Sequence, residues 1–318
     1  MTHVMRALTL APGGDGRMEV VEIAVPAPKP GQVLVQMKVS AVNEMDVQVR
    51  SGGWRPQVKA FRRAGPVVTG FEFVGVAHSD GRRIRSGDRV IGYSHVLNGP
   101  RTHADYACID ENDLQVVPAQ LGDEDAAALV VMGLTAVEIL ERLKPLRPGQ
   151  RCLVIGAAGG VGVYGVQLAS SQGAEVSAVC SVANGEWAAS QGASQIRPYE
   201  SEPLYRSGDR FDLVIDTPAK SSFREAAPYL AAGGMYVTTN PTADLGGFVR
   251  SAFSSKRAGY LMMLRSNPAK LARLIELHAT GAMRAAVDSV HDLAEVNAAF
   301  DRFAVRGKQG RVLLRINP

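Results

Sequence analysis

The sequence predicts an α/β protein built from a β-rich first part and a doubly wound parallel sheet. Three observations support this fold class. Short runs of β-branched and aromatic residues, separated by Gly, Pro and Asp turns, occupy much of residues 1–122. After residue 123, strand-like apolar runs alternate with helical patterns. A glycine-rich segment joins one of these strands directly to a helix.

Composition limits the function classes. Of 318 residues, 46% are hydrophobic and 21% charged, which excludes collagen-like and disordered chains. The length is sufficient for two domains. The formal net charge is only +4, and basic residues are not interleaved with aromatic ones, so we expect no nucleic-acid partner.

Cysteine usage and hydropathy predict the cellular compartment of the protein. Cys108, Cys152 and Cys180 are widely spaced and form no CxxC pair, so neither a disulfide framework nor a cysteine zinc site is expected. The start of the chain has no cleavable apolar segment, and the longest apolar run, residues 126–137, is too short for a bilayer. We therefore expect a cytoplasmic protein without a membrane partner.

The first part of the chain reads as an antiparallel, barrel-like unit. Three runs have strand character, and Gly/Pro/Asp turns separate them. They are VLVQMKV (residues 33–39), PVVTGFEFVGVA (residues 66–77) and RVIGY (residues 89–93).

The middle of the chain reads as a parallel sheet. A helix begins near residue 123, and four strands follow in alternation with helices: residues 152–155, 175–180, 211–216 and 235–239. From residue 268, two helices precede a strand, residues 311–316, that is expected to return to the first unit. We predict one domain at residues 1–122, completed by 268–318, and a second at 123–267.

The segment GAAGGVG, residues 156–162, is called the glycine loop below. It follows an apolar strand and opens a helix, the context that predicts a dinucleotide pyrophosphate site. Glycines allow positive φ and close backbone approach, and the N–H groups at the helix start attract an anion. Gly162 would let the helix pack closely on the strand.

The second strand predicts the cofactor. After residues 175–180, no Asp or Glu occurs before Glu186, so no acid is in place to bind a ribose 2′-OH and repel a 2′-phosphate. We therefore predict NADPH rather than NADH. No Arg or Lys lies in this stretch either, which leaves Ser181, Asn184 and Tyr199 as candidate donors to the phosphate.

Two dehydrogenase architectures could carry this loop. Short-chain dehydrogenases have it near the N-terminus together with a Tyr-xxx-Lys pair, and none of the eight tyrosines here has Lys four positions later. The chain instead resembles the medium-chain dehydrogenase/reductase superfamily over essentially its whole length. The motifs, in order, are Val42-Asn43-x-x-Asp46 with Arg50-Ser51-Gly52, Gly70-x-Glu72-x-x-Gly75, Gly87-Asp88-Arg89-Val90, Gly133-Leu134-Thr135-Ala136, the glycine loop and Gly310-Arg311-Val312.

That resemblance implies a GroES-like catalytic domain and a Rossmann cofactor domain. The zinc-dependent alcohol dehydrogenase branch has Cys at the position of Asn43, His at that of Phe71, and Cys near Val131. The four-cysteine structural zinc lobe is also missing. The chain is therefore most similar to the zinc-free quinone oxidoreductase group, which includes enoyl reductases, and no metal is expected.

The resemblance also implies site residues. Thr135 would contact the ribose or nicotinamide region, and Asn43 would donate a hydrogen bond beside the nicotinamide. Trp54 is a candidate pocket wall, although quinone oxidoreductases often have Tyr there and at Gln48. Tyr93, His95 and His103, in a Gly/Pro-rich loop after a strand, are each a candidate donor. The expected cofactor residues are Gly156, Gly159, Gly160, Val161, Gly162, Ser181, Tyr199 and Asn240, besides Thr135.

The expected reaction is hydride transfer from NADPH to the conjugated C=C of an enone or a quinone, without zinc. Conjugation delocalises charge onto the carbonyl oxygen, so positioning and a hydrogen-bond donor can replace a metal. Two alternatives stay open: a biosynthetic enoyl or ring reductase of a specialised metabolite, and a cofactor-binding scaffold without turnover. By analogy, a homodimer is expected through the Rossmann sheet edge near residues 235–257.

Overall fold

A computed structural model describes residues 3–11, 16–51, 66–240, 244–261 and 264–317. These residues form two large β-sheets and one small one. Strands β1 (Val4–Leu10) and β2 (Met18–Ala24) pair as an antiparallel ribbon. Trp54, a predicted pocket residue, lies outside the described residues.

The first large sheet begins with β3, whose alternate residues Val33, Val35, Met37 and Val39 are buried. Its strands up to residue 116 pair antiparallel, as predicted. The elements of this part are β3 (Gln32–Ala41), α1 (Glu44–Arg50), β4 (Glu72–Ala77), β5 (Arg89–Tyr93), β6 (Tyr106–Asp110) and β7 (Leu114–Val116).

The second large sheet has six strands in the order β10-β9-β8-β11-β12-β13, and all of its pairings are parallel. The predicted parallel sheet is thus confirmed. Its strands are β8 (Arg151–Ile155), β9 (Glu175–Cys180), β10 (Gln195–Pro198), β11 (Phe211–Asp216), β12 (Leu230–Thr238) and β13 (Arg257–Tyr260). The helices of this part are α2 (Asp123–Val137), α3 (Gly160–Ser171), α4 (Gly185–Ser190), α5 (Phe223–Ala226) and α6 (Leu245–Ser251).

The chain then returns to the first large sheet. After α7 (Pro268–Ala279), strand β14 (Val287–Asp292) runs parallel to β15 (Arg311–Arg315), with α8 (Val296–Ala304) between them. Strand β15 pairs antiparallel with β3, so the sheet order is β14-β15-β3-β4-β5-β7, with β6 on β3. The predicted return of the strand that ends the fold is confirmed, whereas the domain boundaries stay a prediction.

Helix α2 joins the two halves. It is buried on nearly every side, because it packs against β3 and β4 of the first large sheet and also against the helices α3 and α7. The Tyr164 hydroxyl of α3 donates to the Ala128 carbonyl oxygen of α2 at 2.9 Å. This packing places β4, α2 and the glycine loop next to one another.

Candidate functional site

The glycine loop has the geometry that its sequence predicts. Gly156 has φ +79°, and the N–H groups of Gly156 and Ala157 both donate to the Val179 carbonyl oxygen at 3.1 Å. A Cβ atom at Gly162 would overlap the Gly156 carbonyl oxygen, so only glycine fits there. Helix α3 therefore starts in direct contact with the end of β8.

The start of α3 fits a pyrophosphate. Gly159 is the residue before the helix, and the N–H groups of Gly160, Val161 and Gly162 precede its first intrahelical hydrogen bond, which Val163 donates to Gly159 at 3.0 Å. Gly159 and Gly160 have no Cβ atoms that would cover these donors. The five predicted loop residues are thus brought together at the start of α3, in what we call the cradle.

Arg311 supplies a buried cation directly behind this cradle. A Cβ atom at Gly160 would lie 3.2 Å from Arg311 Nη1, and the Arg311 side chain is 2% exposed. Its Nε is buried without a hydrogen-bond partner among the described residues. Sequence reasoning used Arg311 only as part of a family motif. A basic residue that opens the apolar strand RVLLR was a signal that could have identified it.

Arg311 belongs to a polar network with Asn43 and Glu72. Arg311 Nη2 donates to Asn43 Oδ1 at 2.9 Å and pairs with Glu72 Oε1, while Val131 N–H donates to Glu72 Oε2 at 2.5 Å. Asn43 and Glu72 are fully buried. Burial raises the pKa of Glu72, and the nearby Arg311 guanidinium opposes that rise.

Asp46 extends the network through α1. Its carboxylate accepts from Asn43 N–H at 2.9 Å and from Gly70 N–H at 2.8 Å. The side chain is fully buried, and this burial raises the pKa of Asp46 to about 7 despite the hydrogen bonds and the charge of Arg311, which lower it. Two carboxyl groups therefore share a single guanidinium in this interior.

The donor set at this place does not fit a catalytic zinc. Phe71 is a fully buried core residue, and Val131 offers only its backbone N–H, which Glu72 occupies. Asn43 and Glu72 are both engaged by Arg311. Within the described part of the chain, no group of three or more His, Cys, Asp or Glu side chains could hold a metal ion.

The donor candidates differ in how their polar atoms are used. The Tyr93 side chain is buried, and its hydroxyl contacts Met45 Sδ at 3.9 Å, a weak interaction. Burial raises the pKa of Tyr93, so the hydroxyl keeps its proton. Thr135 donates its hydroxyl proton within α2, to the Val131 carbonyl oxygen at 2.8 Å, which leaves its lone pairs as acceptors.

His103 has a structural place instead. Its Nδ1 lies 2.9 Å from Thr69 Oγ1, and its Nε2 lies 3.2 Å from the Ala41 carbonyl oxygen. Burial lowers its pKa to about 4, so the ring is neutral near pH 7. Both ring nitrogens are used within the protein, which argues against His103 as a donor to substrate.

The remaining predicted residues lie just after the strands β9, β10 and β12. Ser181 follows β9, and its Oγ is buried without a partner among the described residues. Tyr199 is 45% exposed, and Asn240 follows β12, where its N–H donates to Thr238 Oγ1 at 3.2 Å. Asn184 is engaged elsewhere, by the Lys308 carbonyl oxygen and by Gln309 Nε2.

Glu200 was not predicted as a site residue. Its Oε2 accepts from Val182 N–H at 3.2 Å, directly after β9. Sequence reasoning searched for an acid only in the segment that follows β9, whereas Glu200 follows the neighbouring strand β10. No local pattern marks that contact, because it depends on the pairing of β9 with β10.

Two regions of the chain match models of known families. Residues 29–122 match the alcohol dehydrogenase GroES-like domain, and residues 191–314 match a model described as zinc-binding dehydrogenase. The first match agrees with the sheet built from β3 to β7. The second covers the end of the parallel sheet and the return to the first sheet.

Curated relatives align along nearly the whole chain. The chain is 27% identical over 316 residues to the chloroplast envelope quinone oxidoreductase homolog of Arabidopsis thaliana, with 95% of each covered. It is 26% identical over 319 residues to a trans-enoyl reductase of Aspergillus terreus, with 91% of this chain and 87% of that protein covered.

Solved structures show the same fold. The quinone oxidoreductase of Coxiella burnetii superposes with a TM-score of 0.88 at 23% identity, over 99% of this chain and 100% of that one. A mycobacterial protein complexed with NADPH superposes with a TM-score of 0.80 at 24% identity, over 98% and 100%. The GroES-like and Rossmann architecture is thereby confirmed.

Proposed function

This chain belongs to the quinone oxidoreductase-like group of the medium-chain dehydrogenase/reductase superfamily and is an oxidoreductase, and we propose that it reduces conjugated C=C bonds. The substrate would be a small α,β-unsaturated carbonyl compound or a quinone. The hydride would come from a reduced nicotinamide cofactor, and no zinc would take part.

The cofactor assignment rests on the family and on the cradle at the start of α3. Gly159, Gly160 and Val161 would hold the pyrophosphate, with Gly156 and Gly162 shaping the turn and Arg311 adding positive charge behind it. Thr135, Ser181, Tyr199 and Asn240 would line the rest of the cofactor. The choice of NADPH over NADH, which the sequence favours, stays a prediction.

The observation that carries the zinc-free proposal is the network of Arg311 with Asn43 and Glu72. Polar side chains that could otherwise serve as ligands are held there by a guanidinium, and an arginine is not compatible with a metal ion at the same place. This network supports a reaction in which charge is stabilised by hydrogen bonds alone. It also supports a substrate whose own conjugation spreads that charge.

When bound, a reduced nicotinamide would supply a hydride to the β-carbon of the substrate, and a proton from solvent or a nearby side chain would complete the product. Arg311 fixes the Asn43 amide, whose Nδ2 donates to the Ala41 carbonyl oxygen at 3.3 Å. The Tyr93 hydroxyl, which contacts Met45 Sδ at 3.9 Å and is hydrogen-bonded by the Val96 backbone, would donate to the oxygen on which negative charge develops.

A direct test measures NADPH and NADH oxidation with a panel of quinones and enones, before and after treatment with a chelator. We expect turnover of at least one conjugated substrate and no loss of activity on chelation. Zinc that remains stoichiometric and is required for activity would refute the zinc-free mechanism. Cofactor binding without any turnover would favour the scaffold alternative.

A biosynthetic enoyl reductase is a second candidate within the same chemistry. The similarity to a fungal trans-enoyl reductase over 91% of the chain supports it. It differs from a quinone reductase only in the substrate. Including enoyl thioesters in the same panel separates the two, because the preferred substrate is the one with the higher kcat/KM.

A homodimer and a cytoplasmic location remain proposals. Strand β13 lies at the edge of the parallel sheet, and the nearby α6 segment exposes Leu245, Phe248 and Phe253. Both features support an interface at that edge. No helix in the described ranges is long and apolar enough to cross a bilayer. Light scattering of the purified protein would test the dimer.

A further inference from the structure

We propose that Glu200 sets the cofactor preference of this chain, so that NADH binds at least as tightly as NADPH. The inference rests on the proposed function, because it requires a dinucleotide on the glycine loop. It concerns only the adenosine end of that cofactor. It replaces the sequence-based prediction of NADPH, for which only the segment after β9 was considered.

Strand order places Glu200 at the adenosine ribose. Strands β8, β9 and β10 are parallel neighbours, so their carboxyl ends lie side by side. The glycine loop follows β8, and in this kind of sheet the ribose of the bound dinucleotide lies at the end of the next strand, here β9. Pro198 of β10 pairs with Cys180 of β9, which brings Glu200 to the same place from the other side.

The carboxylate of Glu200 already accepts a hydrogen bond from a backbone N–H group that a bound 2′-phosphate would need. Glu200 Oε2 accepts from Val182 N–H at 3.2 Å. Val182 opens the 3-10 turn Val182–Asn184, with Ser181 as the residue before it. A backbone N–H at the start of such a turn is a typical partner of a phosphate oxygen. A 2′-phosphate would therefore have to displace Glu200.

No described cation of this region is directed toward that position. Arg197 is the only Arg or Lys in residues 156–202, and it is buried against Asp209 at 2.6 Å. Arg206 pairs with Glu202. Lys308 approaches Asn184 through its carbonyl oxygen, but its ammonium donates to the carbonyl oxygens of Phe303 and Val305.

The physical balance favours the cofactor without the phosphate. A ribose 2′-OH can donate a hydrogen bond to the Glu200 carboxylate. A dianionic 2′-phosphate at the same place is repelled by that carboxylate, and Arg197, the one cation within residues 156–202, is held by Asp209. Glu200 thus takes the role of the acid that the sequence lacks at the end of β9.

The experiment measures binding rather than turnover. Dissociation constants for NADH, NADPH, ADP-ribose and its 2′-phosphate are determined by calorimetry for the unchanged chain, Glu200→Gln and Glu186→Gln. Glu186 is the matched control, because it is an exposed acid on α4, shortly after β9 in sequence. We expect Glu200→Gln to tighten binding of the two 2′-phosphorylated ligands about tenfold, as removal of one unit charge near a dianion predicts.

The outcomes separate the inference from the proposed function. We expect Glu186→Gln to change neither preference. NADPH binding tenfold tighter than NADH in the unchanged chain, with no effect of Glu200→Gln, would overturn the inference and leave the reductase assignment intact. A shift caused by Glu186→Gln alone would identify the wrong acid and also overturn it. If neither coenzyme bound, the proposed function itself would fail.

Discussion

Arg311 Nη2 donates a hydrogen bond to Asn43 Oδ1 at 2.9 Å, although 268 residues separate them in sequence. The bond connects the start of β15 with the start of α1. Together with the pairing to Glu72, it holds three polar side chains in one buried arrangement behind the glycine loop. The orientation of Asn43 is therefore fixed by a residue from the far end of the fold.

Removing Arg311 should destabilise the protein strongly. Arg311→Met leaves the Glu72 carboxyl buried without its cation, and breaking a buried pair in this way costs about 3–5 kcal/mol. The double variant Glu72→Gln/Arg311→Met should lose less unfolding free energy than the two single variants lose together. Urea denaturation of all four proteins measures this coupling, and additive losses would show that the pair does not act as a unit.

Alanine at Gly162 should abolish cofactor binding. The new Cβ would overlap the Gly156 carbonyl oxygen, so α3 must move away from β8. Gly165→Ala is the matched control on the same helix, because its Cβ would lie 3.5 Å from Ile215 Cδ1, an ordinary contact. The control should be neutral or stabilised by up to about 1 kcal/mol. Calorimetric titration with NADH and NADPH and thermal unfolding measure both effects, and normal coenzyme affinity in Gly162→Ala would contradict the cradle.

Replacing Asn43 by Ala should slow the reaction without weakening the cofactor. The amide that we propose to lie beside the nicotinamide would be lost, and Arg311 would lose one of its acceptors. We expect kcat/KM with an enone to fall about tenfold, the size of one hydrogen bond of roughly 1.4 kcal/mol. An unchanged kcat/KM would show that Asn43 has no role in the transition state.

Replacing Tyr93 by Phe should lower kcat and leave the fold intact. The hydroxyl contacts the Met45 sulfur and the Val96 backbone, and its removal leaves no unpaired buried charge, so it should cost little stability. If it donates to the developing oxyanion, kcat should fall about 10²-fold. Tyr229→Phe is the control, because Tyr229 stacks on Tyr205 with ring centroids 4.7 Å apart, away from this site. Equal kcat in both variants would exclude Tyr93 as the donor.

Two buried groups, His103 and Asp46, should act in opposite directions on the unfolding free energy between pH 4 and 6.5. The pKa of His103 is lowered from 6.5 to about 4, so its contribution is lost as the pH falls through this window. The pKa of Asp46 is raised from 3.8 to about 7, so its contribution is lost as the pH rises. His103 and Asp46 therefore contribute slopes of opposite sign to the plot of unfolding free energy against pH.

Single substitutions should separate the two slopes. In Asp46→Asn, the unfolding free energy should rise with pH more steeply than in the unchanged chain, by up to about 1.4 kcal/mol per pH unit. In His103→Gln the change in slope should have the opposite sign, because the His103 contribution that rises with pH is removed. Urea unfolding at pH 4.5 and 6.5 measures both, and parallel pH profiles in all three proteins would refute the assignment.

Much of the parallel sheet could be predicted from the sequence, because β8, β9, β11 and β12 are apolar runs that any buried strand requires. The glycine loop was predicted for the same local reason. Strand β10 was missed because QIRP is short and contains Pro198, and β13 because RAGY has no strand pattern.

The parts of the site that sequence reasoning missed depend on contacts between distant segments. Arg311 acquires its place only when β15 pairs with β3, and Glu200 only when β10 pairs with β9. Asn43 could be predicted as a site residue but not as a fully buried one. Local patterns specify elements and loops, whereas the partners of a buried charge follow from topology.

The position of β15 between β14 and β3 has a consequence for biosynthesis. A ribosome releases β3 long before β15, so the N-terminal sheet must wait for its inner strand while translation continues. The parallel sheet, whose strands all lie between residues 151 and 260, is complete earlier. In nascent chains, the parallel sheet with its coenzyme-binding loop should therefore form first. Arg311 should reach its buried position only after β15 has been synthesised.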